Sequence, residues 1–153
     1  MSDSLSFEKE LYDQYKRTRG KDMDEMKMHK LMYFTQRESL MLSNMTAFDE
    51  NFYGWRYGPV LKSVRYQYGL YPGNPYLYVQ NSLTAEEKEL VYEVLLRYGD
   101  VSSWRLSEMT HAEYSWKRSR KGLKSFENGD VMLDTRAMKV DAARELSARN
   151  NAN

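Results

Sequence analysis

Apolar residues recur at helical spacing along most of the chain. Over residues 4–18, Phe7, Leu11 and Tyr15 fall on one face at steps of four, and Gly20 marks a stop. Residues 24–43 carry the strongest signal in the N-terminal part. There Met28, Leu31, Met32, Thr35, Ser39 and Leu42 share one face, while Phe34 and Met41 make a second stripe. Two stripes predict a helix buried on more than one side. Residues 46–58 break the pattern with Phe48, Phe52, Tyr53, Trp55 and Tyr57. Phe52 and Gly54 alternate with Tyr53 and Trp55, which suits a short strand or hairpin arm. Gly58-Pro59 reads as a helix start with proline at the first helical position. Val60, Val64 and Tyr68 then follow at steps of four up to Gly69. Glycines and prolines over 69–75 are turn chemistry, and residues 76–80 read as a short strand.

Thr84 opens the clearest helix. Thr84 and Glu87 have the spacing of a capping box, and Leu90, Val91, Val94, Leu95 and Tyr98 line one face up to Gly99. Ser102 or Ser103 is placed to cap a further helix carrying Trp104, Leu106 and Met109. Thr110 to Arg120 reads as another short helix or turn, 122–130 as loop, and 134–149 as a weakly amphipathic helix through Met138, Ala142 and Leu146. The expected fold class is mainly α: a single helical domain over 1–153, with room for a small β-hairpin near residues 46–57 and 76–80.

Composition changes this picture little. Isoleucine is absent, and 10 Met, 13 Tyr, 5 Phe and 3 Trp must build the core together with leucine. The formal net charge of +1 disfavours bulk nucleic-acid affinity as the main function. Without cysteine there is no disulfide, thiolate metal site or Cys nucleophile. The polar N-terminus lacks signal-peptide features, and no apolar run reaches membrane-spanning length. A soluble cytoplasmic protein is therefore expected. His29 and His111 are the two histidines, with no ligand spacing around either, and neither a phosphate-cradling glycine loop nor a GxSxG elbow occurs. No enzyme activity, cofactor or metal is expected.

Three constellations stand out. Residues 30–36 read Lys-Leu-Met-Tyr-Phe-Thr-Gln, largely a buried helix in which Tyr33 and Gln36 either satisfy buried backbone groups or face a partner. Residues 54–60 read Gly-Trp-Arg-Tyr-Gly-Pro-Val, a structural turn that also offers aromatic and arginine groups of the kind that anchor interfaces. Residues 106–116 lead into 117–124, which hold five basic groups in eight positions and no acid. That stretch is a solvated helix face or a surface for a partner or phosphate.

Together these residues resemble the Panacea domain, or SocA-like antitoxin domain, of bacteria and their phages. The first motif is carried by Lys30, Leu31, Tyr33, Phe34 and Gln36, and the turn motif by Trp55, Tyr57, Gly58, Pro59 and Val60. Gly54 stands where the family usually has alanine. Leu83, Thr84 and Glu86 match a helix-start motif, and Leu106, Ser107, Glu108, Thr110, His111 and Trp116 match the last. Residues 29–66 and 83–120 carry the likeness, whereas 1–20 and 125–153 match no motif.

The resemblance implies an antitoxin that neutralises a cognate toxin protein by direct contact, without turnover. Some members are linked to phage defence, and one relative delivers its toxin to a protease as an adaptor. Candidate partner-contacting residues are Tyr33, Arg37, Trp55, Arg56, Tyr57, His111, Trp116 and Arg118. The motif members among them also suit a scaffold role beneath a variable surface. Two other readings remain open. One is a helix-turn-helix-like regulator contacting operator DNA through 104–124. The other is an enzyme using His111 with Glu108 or Glu113.

Overall fold

Most of the second helix is out of solvent, and the rest of the fold is arranged around it. A computed structural model describes residues 2–152. Its elements run α1 (Ser4–Arg19), α2 (Glu25–Ser43), β1 (Tyr53–Trp55), β2 (Gly58–Val60), α3 (Lys62–Leu70), α4 (Ala85–Tyr98), α5 (Ser103–His111), α6 (Tyr114–Ser119) and α7 (Thr135–Asn151). α2 packs against α1, α3, α4, α5, α7 and β2. Its residues 27–38 are all buried, which is the structural content of its two apolar stripes. Phe34 stacks on Tyr98 of α4 at 4.3 Å, and Phe7, Phe48 and Phe52 extend the aromatic core. Leu42 and Leu146, expected on buried faces, are exposed near the C-terminal ends of α2 and α7.

Helix ends follow local chemistry. Asp3, Asp24, Ser102 and Asp134 accept from first-turn amides of α1, α2, α5 and α7. Thr84 and Glu87 form the full reciprocal box on α4. Gly20 closes α1 in the left-handed conformation (φ 68°). Gly99 caps α4 in a right-handed conformation instead. There glycine answers to space, since a Cβ would lie 2.5 Å from the Leu95 carbonyl oxygen.

One arm of the hairpin, β1, lies within the expected 46–57, but its partner strand is not at 76–80. Gly58-Pro59 does not start a helix; it lies in β2, which pairs antiparallel with β1 in the register Tyr53↔Val60, Gly54↔Pro59 and Trp55↔Gly58. Proline is tolerated because the Gly54 N–H opposite it turns away and donates to the Val131 carbonyl at 2.9 Å. α3 begins only at Lys62. Residues 76–80 form turns and no strand. Tyr76 is fully buried there and donates to Glu8 at 2.7 Å, so the strand-prone run Tyr-Leu-Tyr-Val forms a turn anchored by one buried tyrosine. A segment absent from the expectation, 131–133, lies along β1 through the bridge Tyr53↔Met132 and the Leu133 N–H donating to the Phe52 carbonyl.

Candidate functional site

The β1–β2 hairpin is held from three sides. Arg120 is buried and donates to the carbonyls of Gly54 (3.0 Å), Lys124 and Glu127. The Trp116 indole donates to the Trp55 carbonyl at 2.8 Å, and the Ser107 hydroxyl donates to the Tyr57 carbonyl. The Trp55 indole donates to Asp130 at 3.2 Å. Two glycines make the close fit possible. A Cβ at Gly54 would stand 1.9 Å from Ser119 Oγ. Gly58 has φ 123°, and a Cβ there would stand 2.7 Å from Thr110 Oγ1 and 2.8 Å from Lys30 Nζ.

Behind the hairpin lies a buried polar network. The Tyr33 hydroxyl is 3.0 Å from Glu113 Oε2, 3.1 Å from Ser115 Oγ and 3.3 Å from Asp141 Oδ2. Arg37 pairs with Glu113 and donates to the Tyr98 hydroxyl at 2.6 Å. Arg149 pairs with Glu38 and Glu145. Burial pushes the Glu113 carboxyl up to about 7, against the pull of the Arg37 guanidinium. Tyr33 and Arg37 therefore sit inside the scaffold, at 0% and 4% exposure.

Of the other six candidates, Trp55, Arg56 and Tyr57 belong to the hairpin and His111 and Trp116 adjoin it, whereas Arg118 on α6 faces Tyr114 and Asp134. Arg56 and Tyr57 are exposed at its tip, with the Arg56 guanidinium 4.8 Å from the Tyr57 ring centre, and Trp55 is half-buried beside them. His111 and Trp116 are half-buried and stack at 4.3 Å. Arg118 is exposed and reaches the Tyr114 hydroxyl. Of the five basic groups in 117–124, Arg120 is spent on the carbonyls of Gly54, Lys124 and Glu127. Among the described residues, His111 hydrogen-bonds neither Glu108 nor Glu113; Glu113 faces Tyr33 and Arg37 instead. Burial and the Lys30 ammonium hold the His111 pKa below its usual value, and its Nε2 is buried without a hydrogen-bond partner.

A groove of about 780 Å³ opens beside the hairpin, between α2, α3 and the 128–130 loop. Its floor contains Lys30, a motif residue that sequence reasoning did not place among the candidates. Lys30 is 1% exposed. No described residue hydrogen-bonds or ion-pairs with its Nζ, and burial lowers its pKa to about 8. Its neighbours on the wall are already engaged. Glu25 meets His29 Nε2 and Arg65 at 3.1 Å each, and Lys62 lies 3.6 Å from Asp130. His29 Nδ1 accepts from the Leu61 N–H, so its Nε2 carries the proton that meets Glu25.

Among the described residues, no group of three or more His, Asp and Glu is placed to hold a metal ion. No helix among them is long and apolar enough to cross a membrane. A family model described as antitoxin SocA-like, Panacea domain, matches residues 28–117, from α2 into α6. No curated protein and no solved structure matches the chain.

Proposed function

The chain belongs to the family of SocA-like antitoxins with a Panacea domain, and from that premise we propose that it neutralises a cognate toxin by direct protein contact. The contact face is the hairpin tip with the adjoining end of α5 and surface of α6: Trp55, Arg56, Tyr57, His111, Trp116 and Arg118. The observation that carries this reading is the exposed aromatic and arginine corner at 55–57, fixed from behind by Arg120, Trp116 and Ser107. Aromatic and arginine side chains on a rigid support give contact area at small entropic cost. The toxin would be blocked stoichiometrically, by covering or distorting its active surface. Tyr33 and Arg37 would act one layer below, keeping the face in shape.

Co-purification tests the contact. A tagged chain co-expressed with the product of the adjacent gene is expected to retain it through a salt wash. The double variant Arg56→Glu, Tyr57→Ala alters two exposed side chains, so it should fold normally yet lose the partner. Full retention by that variant would place the contact on another face.

A further inference from the structure

Lys30 presents an uncommon arrangement: a side chain 1% exposed whose ammonium lies in the floor of an open groove, with no acceptor among the described residues. Buried charges are normally paired, because an unpaired one is costly to desolvate. The two carboxylates of the groove cannot serve Lys30 without abandoning partners. Glu25 holds Arg65 and His29, and Asp130 holds Lys62 and the Trp55 indole. Arg56 adds a further cation at the mouth, donating to the Phe126 carbonyl at 3.4 Å and lying over the Tyr57 ring. The walls also offer Trp55, Tyr57, Met26 and Val60. The groove's volume of about 780 Å³ lies within the range of small-molecule sites. Glycine at 58 keeps the Lys30 end-group clear, since any Cβ there would press on its Nζ and Cε.

We propose that this groove binds a small anionic molecule, whose phosphate or carboxylate group pairs with the Lys30 ammonium while a ring or short apolar body rests against Trp55 and Tyr57. The lowered pKa of Lys30 agrees with an ammonium lacking its counter-charge. The groove shares Trp55, Arg56 and Tyr57 with the proposed toxin face, but its test reads a ligand of the isolated chain and so fails independently of the toxin reading.

Calorimetric titration of the purified protein with phenyl phosphate, benzoate and neutral benzyl alcohol tests it. At least one of the two anions should bind, and whichever binds more tightly identifies the phosphate or carboxylate class. Benzyl alcohol should bind at least about tenfold more weakly, as a charge-assisted contact is lost. Lys30→Met should weaken the anion by a similar factor while its circular dichroism stays native. Nuclear magnetic resonance of the unaltered protein supplies a readout that needs no variant: the anion should shift the Trp55 indole and Gly58 amide signals. Absence of binding by both anions, equal binding of the neutral probe, undiminished binding by a folded Lys30→Met, or shifts confined to another face would each overturn the proposal.

Discussion

Ser119 leaves no room for a side chain at Gly54. The hydroxyl of Ser119, tied to the Trp116 carbonyl at 2.6 Å, fills the space a Cβ would need. Gly54→Ala should therefore cost about 1–3 kcal/mol in urea unfolding, as overpacking does. Adding Ser119→Gly should restore part of the loss, whereas Ser119→Gly alone should not stabilise the parent. A second prediction concerns Glu8. Burial raises its carboxyl to about 8, although Ser63 and Tyr76 donate to it. The folded state then holds a proton that the unfolded chain releases above its ordinary carboxylate range. The Glu8 contribution to stability is full below about pH 4.5 and is lost as pH rises to about 8. Unfolding at pH 5 and pH 8 should show a drop of a few kcal/mol that is much smaller in Glu8→Gln. Neither feature is legible in the sequence. Ser119 lies 65 positions from Gly54, and Glu8 looks like any helix-surface acid.

α6 is short, and its own N-cap residue, Glu113, makes no capping bond. Asp141 of α7 supplies the missing cap, accepting from the Tyr114 and Ser115 amides at 2.7 and 2.9 Å while also meeting Tyr33. Asp141→Ala strips two buried amides and a buried hydroxyl of a partner. It should cost about 2–4 kcal/mol, visible as a lowered urea midpoint without a change in slope. Asp141→Asn should retain part of the cap. Where the signals were local, the elements were legible: the Thr84–Glu87 box and Gly20 act within a few residues. The first arm of the hairpin is legible in the sequence, but the second is not, because Gly-Pro has two local readings and the deciding contact comes from Val131.

At the scale of the molecule, α2 is a shared core for elements inside and outside the matched span. α1 and α7 lie beyond residues 28–117, yet both pack on it. We propose that the folding unit includes both ends. A fragment restricted to 28–117 would lose Phe7, Leu11, Asp141 and Arg149 from the core and its network. It is expected to lack a cooperative thermal transition, and a native-like circular dichroism spectrum with such a transition would contradict this. Sequence motifs drew attention to Tyr33 and the Trp55–Tyr57 turn, but not to their division into a buried support and an exposed face. That division depends on partners of Tyr33 that are 80 to 108 positions away.

We propose that toxin neutralisation runs through the hairpin face. Growth under separate inducible promoters tests this, with the adjacent gene expressed alone, with this chain, and with the Arg56→Glu, Tyr57→Ala variant. The expected result is arrest by the neighbour, relief by the parent chain, and renewed arrest with a variant present at the same soluble level. Relief by the variant equal to that of the parent would contradict the hairpin face, and arrest that the parent cannot relieve would contradict neutralisation of that partner.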